Sequence, residues 1–119
     1  MAKRKLPENR ERLHNILKAI DEIFLFTEGI TLEDFKSDRK TLLAIEKLFE
    51  IIGEAAYKID KDFKLKYPDI DWSAIEGTRH ILVHNYYEVS PEILWNAKDL
   101  YLDDLKKDIN NILKNLLEN

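Results

Sequence analysis

Apolar residues near the start of the chain recur at steps of three and four, the spacing of one face of an α-helix. The pattern runs from about Asn9 to Phe26. Its apolar members are Leu13, Ile16, Leu17, Ile20, Ile23 and Phe24. Gly29 is suited to ending this helix. Thr31, followed three positions later by Asp34, has the arrangement of a helix cap and predicts a short second helix.

A second amphipathic pattern begins near Asp38 and continues for about seven turns. Its apolar members are Leu42, Ile45, Leu48, Phe49, Ile52, Ala55, Ala56, Ile59 and Phe63. Tyr67-Pro68-Asp69 breaks it, because the residue before a proline disfavours helical geometry. We therefore expect one continuous helix from near Asp38 to Phe63, followed by a break.

The last third of the chain predicts a capped turn at Asp71-Trp72-Ser73-Ala74-Ile75, punctuated by Gly77, and then a long helix. Ser90 is a good N-cap, Pro91 suits the first helical position, and Glu92 adds negative charge to the first turn. The apolar positions that carry this helix to the end are Ile93, Leu94, Ala97, Leu100, Leu105, Ile109, Ile112, Leu113 and Leu116.

These segments predict an all-α fold, an antiparallel bundle of four or five helices. The chain has 119 residues with only three glycines and three prolines, and no stretch alternates with period two. This length is right for one domain, so we expect a single helical domain over residues 1–119. Residues 1–7, which include Lys3-Arg4-Lys5, are expected to be disordered.

Composition narrows the classes of function. The formal net charge is −4, so RNA would have to bind through a local basic groove. The absence of cysteine excludes disulfides and thiolate metal sites. No apolar run approaches the roughly 18 residues of a membrane span, and the start lacks the apolar stretch of a signal peptide. We expect a cytoplasmic protein that needs no cofactor and has no membrane partner.

Residues 77–87 do not resemble a solvated helix face, because histidines, an arginine, an asparagine and two tyrosines surround a short apolar centre. An arginine near a histidine suits cleavage of RNA, in which the 2′-hydroxyl is an internal nucleophile. Imidazole exchanges protons at neutral pH, and guanidinium stabilises charge on phosphate oxygens. Arg79 and His84 lie about 140° apart on an ideal helix. They converge only if the arginine reaches round, the helix is irregular at Arg79, or a second protomer completes the site.

The order Arg79, four residues, His84, one residue, Tyr86 resembles the signature of the HEPN superfamily. It is most similar to the HepT-like branch, which is paired with minimal nucleotidyltransferases. The resemblance covers most of the chain. Its other members are Phe26-Thr27-Glu28-Gly29, Phe35, Asp38-Arg39, Phe49-Glu50-Ile51-Ile52-Gly53-Glu54-Ala55-Ala56, Lys66-Tyr67-Pro68, Trp72, Ile93 and Trp95.

The resemblance implies a helical homodimer that cuts RNA, tRNA among the possible targets, without a metal, in a cleft shared by two motif copies. Arg79 and His84 would be the catalytic pair of this ribonuclease toxin. Tyr86 would be the tyrosine to which the cognate nucleotidyltransferase antitoxin adds AMP, silencing the nuclease. The residue after the arginine is usually polar, often asparagine, and here it is His80. His80, Glu54 and Asn85 are expected to be auxiliary to the site.

Several structural interpretations stay open for these residues. Arg79 would also suit a simple salt bridge with Glu54 or Glu76, and Glu54 needs a cation partner only if it faces the interior. Gly53 in mid-helix costs about 1 kcal/mol relative to alanine, which indicates a close helix–helix or subunit approach there. Four lysines form a basic side at the end of the second long pattern, which is either a solvated face or a guide for RNA. They are Lys58, Lys61, Lys64 and Lys66.

Other functions remain as alternatives. His80 and His84 are four apart and would chelate a metal if a third ligand came from elsewhere. Tyr86 would suit a dimer interface. The chain as a whole would also suit a non-catalytic helical module that holds a nucleotide or stabilises a minimal nucleotidyltransferase, or a purely structural dimer.

Overall fold

The computed structural model describes residues 2–80 and 90–118, and within these ranges the chain contains α-helices, one 3₁₀ turn and no strand. The all-α class is therefore confirmed. The described helices are α1 (Ala2–Thr27), α2 (Leu32–Ser37), α3 (Arg39–Lys58), α4 (Lys61–Leu65), α5 (Trp72–Gly77) and α6 (Pro91–Glu118), and the 3₁₀ turn is Thr78–His80. Six helices are described, rather than four or five, because the second amphipathic pattern divides into α3 and α4.

Three long helices, α1, α3 and α6, supply most of the core. The most extensive contact is between α1 and α3, and α6 packs mainly against α1 and α2. Ile16 and Ile20 of α1, Ile52 of α3 and Ile109 of α6 are almost completely buried. Burying each such side chain contributes about 1.5–3 kcal/mol, so this apolar interior is the main source of stability. None of the described helices combines the length and the apolar character needed to cross a membrane.

Short-range signals begin and end the helices as the sequence predicts. Thr31 Oγ1 accepts a hydrogen bond from the Asp34 amide at 3.1 Å, and Asp34 Oδ2 accepts one from the Thr31 amide at 3.0 Å. This reciprocal capping box starts α2. Gly29 has φ +75°, the left-handed conformation that glycine adopts without steric cost, just beyond the end of α1. Pro91 is the first residue of the last helix.

The prediction of one continuous helix to Phe63 is wrong. Helix α3 ends at Lys58, and Ile59 is extended with φ −67° and ψ 138°. The side-chain oxygen of Asn9 accepts a hydrogen bond from the Asp60 amide at 3.0 Å and so satisfies the backbone at the break. Phe63 of α4 is nevertheless buried, which is why the apolar pattern continues across the interruption.

Helix α1 starts earlier than its apolar pattern suggests. It begins at Ala2 rather than near Asn9, so the backbone of residues 2–7, expected to be disordered, is helical in the structure. Lysine, arginine and leucine are good helix formers, and Leu6 packs against the apolar core. This one tertiary contact gives the leading segment a reason to continue the helix.

Candidate active site

Helix α5 and the turn after it position Arg79. Asp71 caps α5 by accepting a hydrogen bond from the Ala74 amide at 3.1 Å, and the buried Trp72 donates its indole N–H to the Tyr67 carbonyl at 3.1 Å. The chain then tightens into the Thr78–His80 turn, with Arg79 at its centre. A 3₁₀ turn has three residues per turn rather than 3.6. The backbone is therefore irregular at Arg79, one of the three possibilities that the sequence left open.

The turn lies directly against the backbone of α3 at Gly53. A Cβ added to Gly53 would overlap the Arg79 amide nitrogen and Thr78 Oγ1, and it would lie 2.9 Å from the Thr78 carbonyl carbon. The Thr78 hydroxyl donates toward two carbonyl oxygens, that of Phe49 at 2.7 Å and that of Ile75 at 2.8 Å. Gly53 therefore marks a close approach, by the 3₁₀ turn rather than by another helix or a subunit, and the backbone before Arg79 is fixed on α3.

The Arg79 guanidinium rests on Tyr57, one helical turn after Gly53. The Arg79 Cζ atom lies 3.5 Å from the centroid of the Tyr57 ring, within the range of a cation–π interaction. Tyr57 is 49% exposed, so the contact lies at the surface of α3 rather than in the core. Sequence reasoning missed Tyr57, because no local pattern relates it to an arginine in a different element.

The two carboxylates considered as partners of Arg79 each form an ion pair with a lysine. Glu54 Oε1 lies 3.5 Å from Lys58 Nζ, and both side chains are about half exposed, so Glu54 does not face the interior. Glu76 Oε2 lies 2.8 Å from Lys64 Nζ, which also donates to the Ala56 carbonyl at 3.0 Å. Of the four-lysine basic side, Lys64 is thus largely buried and serves the fold.

A different carboxylate on α3, that of Glu46, is buried. Glu46 is only 6% exposed and lies seven positions before Gly53, on the same side of the helix. Burial raises the pKa of the Glu46 carboxyl, because desolvation disfavours its charged form, and the nearby charge of Arg39 partly opposes this rise. Nothing in the amphipathic pattern of the sequence singled out Glu46.

The other predicted site residues are not placed. His84, Asn85 and Tyr86 lie outside the described residues, and for His80 only the backbone, in the 3₁₀ turn, is described. The structure therefore brings Arg79 together with Gly53, Thr78 and Tyr57, while the roles of the remaining motif residues stay predictions. Among the described residues, no three or more histidine, aspartate or glutamate side chains are grouped so that they could hold a metal ion.

Two surface cavities lie on the described part of the chain, and neither is lined mainly by basic side chains. A cavity of about 480 Å³ between α3, α5 and α6 has an apolar floor, and its described lining contains no lysine or arginine. Its rim carries Asp69, Asp71, Asp104 and Asp108. A smaller cleft of about 190 Å³ between α1 and α3 mixes arginine and lysines with Glu50 and Glu54. An acidic rim repels phosphate, which argues against the larger cavity as a site for RNA.

Comparisons with known proteins agree on one family. The family model described as "Ribonuclease HepT-like" matches residues 16–112. A candidate RNase of Methanocaldococcus jannaschii is 34% identical over 106 residues, covering 89% of this chain and 91% of its own. A "Probable ribonuclease HepT" of Thermococcus cleftensis is 36% identical over 106 residues, covering 89% and 96%. No solved structure matches the chain.

Proposed function

The chain belongs to the HepT-like ribonuclease family, and from that premise we propose that it is a metal-independent endoribonuclease with Arg79 and His84 as its catalytic pair. The observation that carries this proposal is the fixed position of Arg79. Its backbone packs on Gly53 and its guanidinium on Tyr57, so a permanent positive charge is held at the surface. A fixed charge stabilises a transition state without reorganising first.

The proposed chemistry uses the 2′-hydroxyl of RNA as the nucleophile. His84 accepts the proton of the 2′-hydroxyl as its oxygen bonds to phosphorus, and the bond from phosphorus to the 5′-oxygen breaks. The 5′-oxygen leaves with a proton, from water or an imidazolium. Arg79 stabilises the charge that accumulates on the non-bridging oxygens. The products are a 2′,3′-cyclic phosphate and a 5′-hydroxyl. His80, Asn85 and Glu54 would be auxiliary to the catalytic pair.

The proposal extends to assembly and regulation. Two protomers would form a homodimer and place both motif copies in one cleft, which supplies a local cationic site on a chain of net charge −4. A cognate nucleotidyltransferase antitoxin would transfer AMP from ATP to the Tyr86 hydroxyl, releasing pyrophosphate. The added phosphate is anionic and would repel RNA from a site that Tyr86 shares with Arg79 and His84. In such a pair the ribonuclease would be the toxin and the nucleotidyltransferase the antitoxin.

The test is cleavage of a tRNA-containing RNA pool by protein that mass spectrometry shows to be free of AMP, with EDTA present. Wild type should cleave and leave 2′,3′-cyclic phosphate ends, whereas Arg79→Ala and His84→Ala should lose at least about 100-fold in rate. His14→Ala, an exposed histidine on α1, is the matched control and should cleave as wild type does.

Absence of cleavage by the wild-type protein would contradict the proposal and favour the non-catalytic partner module. Cleavage that His84→Ala leaves unchanged would move the catalytic base elsewhere. Cleavage that EDTA abolishes would contradict the metal-independent mechanism.

A further inference from the structure

We propose that Tyr57 is the positioning residue of this ribonuclease, holding the Arg79 guanidinium in the orientation in which it meets the RNA phosphate. The inference rests on the catalytic role proposed for Arg79. The distance of 3.5 Å from Arg79 Cζ to the ring centroid is van der Waals contact, far inside the roughly 6 Å limit of a cation–π interaction.

A flexible arginine needs such a support to act in catalysis. The side chain has several rotatable bonds, and their freedom has to be lost each time a free arginine binds a phosphate. A guanidinium resting on a ring contacts it through its flat face, whereas its N–H donors lie in its own plane. Tyr57 would therefore order Arg79 in advance through a contact that itself uses none of the N–H donors.

The geometry of α3 explains why Tyr57, rather than another residue, serves this purpose. Gly53 and Tyr57 are four positions apart, so they share one face of α3, separated by a rise of about 6 Å. Gly53 contacts the backbone of Arg79, and Tyr57 contacts its guanidinium. One helix face thus fixes both ends of the arginine side chain.

The exposure of Tyr57 argues that its contact with Arg79 is more than core packing. Half of the side chain is open to solvent, whereas the core residues of α3, such as Ile52, are almost completely buried. A half-exposed ring contributes little to the apolar interior, so a substitution there should leave the fold intact. Loss of the contact between Tyr57 and Arg79 should then lower the rate of cleavage rather than the stability of the fold.

The experiment compares Tyr57→Leu, which removes the π face but keeps apolar bulk, with Tyr57→Phe, which keeps the face. Single-turnover cleavage at saturating RNA should fall about two- to fivefold in Tyr57→Leu, the factor that a half-exposed cation–π interaction represents. Tyr57→Phe should retain most of the activity. Tyr101→Leu is the control, since Tyr101 is an exposed tyrosine on a different helix, α6, and it should match wild type. All three variants should keep the wild-type melting temperature within a few degrees.

A second readout tests the contact itself. Free guanidinium ion at non-denaturing concentration should partly restore cleavage by Arg79→Ala, because the Tyr57 ring offers the same surface to the free ion. In the Arg79→Ala, Tyr57→Leu double variant, half-maximal rescue should need a severalfold higher guanidinium concentration. A structural role of Tyr57 would not move this value.

The outcomes separate the two proposals. If Arg79→Ala cleaves as wild type does, the catalytic assignment itself fails. If Arg79→Ala is impaired but Tyr57→Leu cleaves normally, or Tyr57→Phe is as impaired as Tyr57→Leu, the positioning role fails alone. If half-maximal rescue needs the same guanidinium concentration with and without the Tyr57 ring, the positioning role also fails. Loss in Tyr57→Leu together with retention in Tyr57→Phe supports the inference.

Discussion

Replacing Gly53 with alanine should destabilise the protein, although alanine is the better helix former. In an unobstructed helix this substitution gains about 1 kcal/mol. At position 53 the new Cβ would overlap the amide nitrogen of Arg79 and the hydroxyl of Thr78. The amide nitrogen is backbone of the 3₁₀ turn, and the hydroxyl is held by the Phe49 and Ile75 carbonyls, so the turn has to move away from α3.

The size of the effect follows from what that movement disrupts. Inserting a methyl group into a filled contact costs about 1–3 kcal/mol. Moving the turn also weakens the hydrogen bond of Thr78 Oγ1 with the Phe49 carbonyl, which contributes about 0.5–1.5 kcal/mol. After the gain in helix propensity, the net loss is about 2 kcal/mol. For a domain of this size that lowers the melting temperature by about 8 °C.

Thermal unfolding followed by circular dichroism measures this loss, with Gly77→Ala as the matched control. A Cβ at Gly77 meets nothing within 4 Å, so its variant should melt at or slightly above the wild-type temperature. RNA cleavage should also fall in Gly53→Ala, because the displaced turn carries Arg79. If Gly53→Ala melts at or above the wild-type temperature, the reasoning about the contact between α3 and the turn is refuted.

Three further predictions concern charged side chains. Lys64→Met should lower the free energy of unfolding in urea by about 2 kcal/mol, because it removes the largely buried partner of Glu76 and the hydrogen bond to the Ala56 carbonyl. A double-mutant cycle of Lys64 and Glu76 should show that the two side chains are coupled. A hydrogen bond from Ser90 lowers the pKa of Glu92 to about 2, so ionised Glu92 stabilises the fold above pH 4.5. The wild-type protein should therefore melt higher than Glu92→Gln above pH 4.5, and this difference should disappear as the pH falls from 4.5 to 2. Burial raises the pKa of Glu46, so the ionised carboxylate weakens folding at neutral pH, and Glu46→Gln should melt higher there by an amount that shrinks on acidification.

The features that the sequence predicted correctly depend on neighbours within about four positions. The Thr31 capping box, the turn at Gly29 and the first helical position of Pro91 each involve residues close in the chain. Gly53 could also be interpreted from local information. Its cost within a helix is a local property, and that cost indicated a close approach before the approaching element was known.

The features that the sequence did not predict depend on residues far apart in the chain. Helix α3 stops where the Asn9 side chain receives the Asp60 amide, a contact across 51 positions. No periodicity signals this break, because Phe63 returns to the core beyond it. The contact between Tyr57 and Arg79 is of the same kind: each residue alone is an ordinary surface side chain, and only the packing of the 3₁₀ turn on α3 brings them together.

The placement of Arg79 in this turn changes the question of how Arg79 and His84 would meet. An ideal helix through both residues separates them by about 140°, but the Thr78–His80 turn does not follow that geometry. The guanidinium is located instead by α3, through Gly53 at its backbone and Tyr57 at its tip. Convergence therefore depends on where His84 lies relative to that face of α3, in the same protomer or in a partner. It follows that changes at positions 53 and 57 should be non-additive with changes at Arg79 in cleavage assays, whereas changes on α6 should add independently.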